Sequence, residues 1–212
     1  MKKRRVLSVV LAASMFAMLL TGCGGGNQGS AEGSQAAAIG QGVAEAESCI
    51  KIGVSGTPDL DPAIVNTGSS LIAAINIYDT LIFPSNEADE GVIPRVAEDW
   101  TISEDGLTYT FNLKKGIKFH NGDELTASDV VYSMDRLLTI GEGYAYIFTS
   151  YVEPGTTVAV DDYTVEFHLK QAYGPFINAL VRLYILNEDE VKANTQSAGN
   201  YGENGDYGRT YL

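Results

Sequence analysis

Cysteine, tryptophan and histidine are scarce in this 212-residue chain: it has two cysteines (Cys23 and Cys49), one tryptophan and two histidines (His120 and His168). Two cysteines exclude a disulfide-built scaffold, and two histidines far apart in sequence, one before a turn and one on the polar side of a strand pattern, read as surface or half-buried polar residues rather than metal ligands. Basic residues are also few, 14 Lys and Arg against 27 Asp and Glu, for a net charge of −13. Past the first 22 residues the balance is 10 against 27, a net −17. A surface that acidic repels phosphate backbones and anionic headgroups, which argues against nucleic-acid and electrostatic membrane binding. The chain has no phosphate loop, HExxH or CxxC. Gly53-Val54-Ser55-Gly56 misses a nucleophile elbow because Thr57 stands where the last glycine is needed, and Gly141-Glu142-Gly143 lacks the third glycine and preceding strand of a dinucleotide fingerprint. What remains is ample apolar content (45%) for a core, with no collagen, coiled-coil or disorder signature over most of the length.

Charge is concentrated at the start. Lys2, Lys3, Arg4 and Arg5 precede Val6–Leu20, fifteen residues without a charge. That run is short for a bilayer crossing of roughly 20 residues and fits the apolar region of a signal peptide. Leu20-Thr21-Gly22-Cys23 follows and resembles the lipobox of bacterial lipoproteins, in which a peptidase cuts before the cysteine and its thiol carries diacylglycerol. Residues 24–47 hold seven glycines and no aromatic residue. They lack the apolar surface to offset the entropy of ordering, so a flexible tether of ~25–30 Å is expected. Cys49 then stands unpaired, with a small buried hydrophobe as its expected role and intermolecular pairing or a reactive thiol as the alternatives.

Beyond the tether the pattern alternates. Ile50–Val54 reads as a first strand and Ser55–Pro62 as a turn-rich loop. Thr67–Tyr78 reads as a helix with Leu71, Ile72, Ala74, Ile75 and Tyr78 at helical spacing, and Asp79–Phe83 as a short strand. Leu107, Tyr109, Phe111 and Leu113 alternate with polar residues, and Asp105-Gly106 turns this strand back on Asp99–Ile102. Ile117–His120 is at most a short strand. Thr126 and Asp129 form a capping box opening a helix with apolar residues Val130, Val131, Met134, Leu137 and Leu138. Asp161-Asp162 turns a second hairpin, Thr157–Val160 against Tyr163–Leu169. At an offset of 56 it echoes the first: Asp105/Asp161, Thr108/Thr164, Phe111/Phe167, Leu113/Leu169 and Lys114/Lys170. Two units are too few for a solenoid, and convergence on one β-pattern explains the echo. Both hairpins are expected in one antiparallel sheet beneath the Thr126 helix. Gly174-Pro175 opens another helix with proline at or near its first position.

Chemistry-bearing clusters are weak. Asp59 and Asp61 can pair as acid and base, but between prolines in a loop they read better as turn formers or ligand contacts. Tyr144, Tyr146 and Tyr151 can stack on a ligand or simply pack. Residues 193–209 are polar and Gly-rich, and the chain stops at Tyr211-Leu212 with neither cap nor tail, so a truncated fragment of a longer protein is expected.

Residues 97–138, AEDWTISEDGLTYTFNLKKGIKFHNGDELTASDVVYSMDRLL, resemble the signature region of family 5 extracellular solute-binding proteins, the peptide-, dipeptide- and nickel-binding components of ABC importers. The match runs from Ala97-Glu98 and Trp100 through the Asp105–Tyr109 turn, Phe111, Leu113, Lys115-Gly116, Lys118-Phe119-His120 and Asn121-Gly122 to Asp129-Val130-Val131. Flanking agreement includes Leu60-Asp61-Pro62, Tyr78–Leu81, Asp162-Tyr163 and Gly205–Gly208. The resemblance implies an incomplete, type II, bilobed periplasmic-binding-protein-like fold of class α/β to α+β, with an antiparallel-sheet-plus-helix subdomain. It lays the chain out as a lipoprotein signal peptide (1–22), a lipid-anchored tether (23–47) and the start of the first lobe (48–85). A family-specific α+β subdomain (86–190) and a truncated return to the first lobe (191–212) follow. Ligands of doubly wound folds sit beyond strand C-termini, so Ser55, Gly56, Thr57 and Asp59 are the expected first-lobe contacts, and Cys23 the lipidation site.

No catalytic residue, metal or cofactor is implied. The expected protein is not an enzyme but a binding subunit on the extracytoplasmic face of a bacterial membrane. It would capture a peptide or other small solute, deliver it to ABC permease subunits, touch the membrane through its lipid only, and bind no nucleic acid. Two alternatives stay open here: a sensor or adhesive lipoprotein reusing the fold, and a surface hydrolase using Asp59 and Asp61.

Overall fold

The computed structural model describes residues 50–89 and 91–195. The signal peptide, Cys23, the tether, Cys49, most of the expected return segment and Gly205–Gly208 lie outside the described residues. Within them, the Thr67 hydroxyl accepts the Ser70 amide and caps α1 (Gly68–Ile77). Short strands β1 (Ile82–Pro84) and β2 (Val92–Pro94) form an antiparallel pair in which Phe83 faces Ile93.

A second sheet carries most of the structure. Strands β3 (Ala97–Ile102), β4 (Thr108–Leu113), β5 (Thr157–Asp161) and β6 (Thr164–His168) are all antiparallel, in the order β3-β4-β6-β5. The two hairpins therefore meet through their second strands. The offset of 56 that relates the hairpins in sequence pairs Thr110 with Glu166, and these two residues also face each other across β4 and β6. The repeat is thus a local two-fold about that pair. The loops differ: Asp161 faces Thr164 across two residues, whereas the first hairpin needs Ser103–Leu107. There Asp105 accepts the Leu107 amide (3.0 Å) and the Ser103 hydroxyl (2.6 Å), and Gly106 takes a φ of 68°, which a β-carbon would resist.

Alternation decides which face is dry. Tyr109, Phe111, Leu113, Val165 and Phe167 are buried, while Thr108, Thr110, Asn112, Thr164, Glu166 and His168 line the wetter face. Helix α2 (Ala127–Ile140) opens at the capping box, packs on β5 and β6, and ends at Gly141 in the left-handed conformation (φ 71°). Its first amide donates to the Asp162 carbonyl in the second hairpin's turn (2.8 Å). The sheet-under-helix arrangement expected from the sequence is thus formed. Val130, Met134, Leu137 and Leu138 are buried as expected, but Val131 is only half-buried.

Short helix α3 (Ala145–Phe148) and α4 (Phe176–Ala179) close the core from one side. Phe176 brings its ring to 4.8 Å from Tyr109, 5.6 Å from Phe167 and 6.3 Å from Phe148, and Phe111 sets its edge against Phe167 at 5.7 Å. The chain leaves through a 3₁₀ turn (Leu180–Arg182) and α5 (Glu188–Asn194). Its outbound and return segments pair, with Thr80 opposite Tyr184 and the Ile185 amide on the Asp79 carbonyl (2.9 Å).

Two expectations require correction. Residues 50–54 are not a strand: no described residue pairs with them, and Ile50, Ile52 and Val54 are exposed. A β-branched run without a hydrogen-bonding neighbour has no ladder to join. The strand expected at Asp79–Phe83 begins later, at Ile82, because Thr80 is engaged by Tyr184. Pro175, expected at or near the first helical position, is the N-cap of α4, an α-helix of four residues.

Replacing Phe176 by alanine removes the ring on which three other aromatics converge. The expected loss is about 3–5 kcal/mol of stability by denaturant titration of the chain. A loss under about 1 kcal/mol would show that the cluster collapses around the gap.

Candidate ligand-facing site

Ser55, Gly56 and Thr57 are exposed and Asp59 is half-buried, in a loop laid against the N-terminal end of α1. The Asp59 amide donates to the Ser70 hydroxyl (2.9 Å), which meets the Thr67 hydroxyl at 2.8 Å, and the Ser55 and Ser69 hydroxyls stand 3.4 Å apart. A β-carbon at Gly56 would touch nothing within 4 Å, so the backbone there is open on that side. This contact explains why α1 departs from the expected apolar face. Ser69, Ser70 and Ala74 are buried, Leu71 and Tyr78 are half-buried, and Ile72 and Ile75 are exposed. Small side chains let the loop approach closely, and a helix apolar nearly all round does not declare its inner side.

Asp61 does not pair with Asp59 as an acid–base couple. It is 2% exposed, and both carboxylate oxygens accept from the Arg136 guanidinium of α2 (2.7 and 2.6 Å), which is 1% exposed. The same carboxylate accepts the Ala63 amide (3.0 Å), and the Ile64 amide closes a turn on the Asp61 carbonyl (3.1 Å). Buried and gripped by Arg136, Asp61 stands out of a substrate's reach, which removes the pairing with Asp59 on which the hydrolase reading is built. Burial works against the Arg136 charge, but the hydrogen bonds and field of Asp61 outweigh it and raise the guanidinium pKa.

Arg136 is one of three polar residues on a second buried face of α2. Asp129, Ser133 and Arg136 fall at helical offsets of zero, four and seven. The Asp129 carboxylate accepts the Glu188 amide (2.9 Å), the Thr126 amide (2.9 Å) and the Thr126 hydroxyl (3.1 Å). The Ser133 hydroxyl donates to the Asp129 carbonyl (2.6 Å) and accepts the Leu186 amide (2.9 Å). Beside the apolar stripe of this helix, polar residues at the same helical spacing are the sequence signal for this other face. Where that face ends, Gly143 lies so close to the 63–65 backbone that a β-carbon would stand 2.7 Å from the Ala63 carbonyl oxygen.

The tyrosines divide. Tyr151 stacks on Tyr173 (3.8 Å, 7°), a packing role; Tyr144 lies under the Arg182 guanidinium (5.0 Å), and Tyr146 is exposed. A cleft of about 410 Å³ opens elsewhere, between Tyr78, Phe119, Leu125 and Leu186, and none of the four expected contact residues lines it. Among the described residues no three His, Cys, Asp or Glu side chains form a group that could hold a metal, and no helix is long and apolar enough to cross a membrane.

Residues 91–207 match the sequence profile of the bacterial extracellular solute-binding proteins, family 5 (middle region). The chain belongs to this family. Relatives include the dipeptide-binding protein of Escherichia coli K12, 36% identical over 141 residues, covering 58% of this chain and 26% of that protein. Another is di/tripeptide-binding protein 1 of Pseudomonas aeruginosa, 32% identical over 136 residues, covering 57% and 25%. The chain thus spans about a quarter of the length of the curated relatives it matches. Among solved structures, the periplasmic binding protein DppA of Helicobacter pylori in complex with the peptide STSA superposes with a TM-score of 0.55 at 32% identity, over 63% of this chain and 30% of that one. The substrate-binding domain of an oligopeptide ABC transporter from Bacillus anthracis gives 0.55 at 30% identity, over 70% and 32%. The fold class is therefore that of the bilobed periplasmic binding proteins, and this family 5 chain carries a part of it built from antiparallel sheet and helices. The family is one of solute binders rather than enzymes.

Burial raises the Asp129 carboxyl pKa above the ordinary aspartate value, and the nearby Glu188 carboxylate adds to it; the Glu188 and Thr126 donors oppose the rise without cancelling it. A carboxyl whose pKa is higher folded than unfolded contributes its stability fully below the unfolded value and loses it as pH rises through the folded one. The stability of the native chain relative to Asp129→Asn is therefore expected to decline with rising pH in the interval just above the ordinary aspartate range, then level off. Denaturant titrations across that interval check this, and a difference that grew with pH would contradict it.

Proposed function

We propose that this chain belongs to the lipid-anchored, extracytoplasmic binding subunit of an ABC importer, capturing oligopeptides and delivering them to a membrane permease. The observation that carries the reading is the family 5 match over residues 91–207, joined to relatives named for dipeptide and di/tripeptide binding. The lipobox-like Leu20-Thr21-Gly22-Cys23 behind a basic, then apolar, leader supports anchoring through Cys23. Diacylglycerol at that thiol supplies two acyl chains, enough for stable attachment where one is marginal. The Gly-rich stretch after it gives the body reach above the headgroups. In this reading residues 48–85 begin the first lobe, 86–190 form the subdomain, and 191–212 return to the first lobe.

The mechanism is closure without chemistry. The Ser55–Asp59 loop presents exposed hydroxyls, open backbone at Gly56 and the Asp59 carboxylate, groups suited to an extended peptide's main chain and charged ends. Side chains of varied size are accommodated through water, which bridges polar groups nearly as well as direct bonds. Ligand bound better by the closed than the open arrangement holds the clamp shut, and release follows when the permease favours the open one.

Calorimetric titration of the full-length protein with di- to nonapeptides is expected to saturate, with Asp59→Ala weakening affinity by about tenfold or more, as loss of a hydrogen bond to a charged group does. Failure to bind any peptide in a broad panel that also holds opines, sugars and metal chelates would sink the proposal. Separately, Cys23→Ala is expected to release the protein from the membrane fraction and abolish labelling by a radioactive fatty acid; a variant still labelled and sedimenting with membranes would rule out Cys23 as the anchor.

A further inference from the structure

A salt bridge shielded from water on both sides is seldom a net source of stability, because each ion gives up its hydration. What a bidentate guanidinium–carboxylate pair supplies is geometry: two parallel hydrogen bonds fix distance and rotation together. The segment held this way is the one beside the expected ligand contacts. Residues 59–64 are pinned at their start by Ser70, which accepts the Asp59 amide, and near their middle by Arg136, which grips Asp61. On the same helix face Ser133 and Asp129 hold the amides of Leu186 and Glu188. Seven residues of helix span about 10 Å, so α2 holds the outgoing loop and the returning chain at a set separation.

We infer that Arg136, through Asp61, is a positioning residue for ligand capture: it sets the path of the 59–64 segment and thereby where Ser55, Gly56, Thr57 and Asp59 stand, without touching ligand itself. The inference rests on the reading of that loop as ligand-facing. Two variants of the full-length protein separate positioning from folding. Arg136→Lys keeps the charge but loses the two-pronged grip. The pair Asp61→Asn with Arg136→Gln removes both charges, so no lone ion is left buried.

Hydrogen–deuterium exchange and peptide calorimetry are read together. In both variants the Ala63 and Ile64 amides are expected to exchange about tenfold faster while amides of β4 and β6 keep their protection, and peptide affinity is expected to fall about tenfold. Faster exchange at 63–64 with unchanged affinity would overturn the link to ligand. Unchanged exchange there would overturn the link to the loop. Loss of protection throughout β4 and β6 in the uncharged pair would make Arg136 a fold residue only, and full affinity with lysine would show the fork to be unnecessary. A wild-type protein that binds no peptide defeats the underlying functional reading and the ligand half of the inference, and the exchange measurement then still decides whether Arg136 places the loop.

Discussion

Two side chains from positions 75 residues apart, Asp61 and Arg136, meet almost wholly out of water, and much of the architecture around them follows from the demands of that meeting. An unpaired ion at either position would be severely destabilising, so the loop before α1 and the middle of α2 must arrive at the same place with the right orientation. Asp61 has little freedom left: its oxygens receive two guanidinium bonds and the Ala63 amide. Gly143 then permits a backbone approach at Ala63 that a larger residue would block. The pair therefore acts as a constraint on chain path, and the surrounding packing is arranged to satisfy it.

The constraint also explains why α2 has two buried faces rather than one. Val130, Met134, Leu137 and Leu138 bury against a sheet whose own dry face is set by alternation, and whose two hairpins join about the Thr110–Glu166 pair. Asp129, Ser133 and Arg136 turn toward segments outside that sheet and satisfy backbone amides or a carboxylate there. The first face gets its energy from removing apolar area from water. The second gets its definition from directional bonds. One helix thus connects a core held by dispersion and hydrophobic burial to chain segments held by hydrogen bonds.

The sheet was legible in the sequence because its determinants are local. Period-two alternation in Thr108–Leu113 and Thr164–His168, a turn pair at Asp105-Gly106 and the capping residues Thr126 and Asp129 each act within a few positions. The Asp61–Arg136 pair was not legible, because neither residue announces a partner so far along the chain. In α1 the isoleucines suggested an inner face, yet the serines went inside to meet the loop. Ile50–Val54 has strand composition, but composition cannot supply the neighbouring strand that a ladder requires. Of the candidate site, the loop was chosen by fold analogy as the segment after an expected strand that the structure does not form, whereas what fixes the loop's path could be seen only in three dimensions.

The segment that identifies the family and the segment expected to meet ligand are physically different kinds of sequence. Residues 97–138 build the β3–β4 hairpin and most of α2, where alternating buried side chains, a turn and a capping box follow one another closely, so their pattern is dense and specific. Residues 55–57 are exposed and answer to few internal contacts, and the loop's course depends on Ser70, Thr67 and Arg136, which lie outside it. A loop whose path is fixed by anchors elsewhere can change the chemistry it presents without changing where it presents it. Membership of the family is therefore written in the scaffold, while residues 55–57 are positions on which that scaffold places almost no demand.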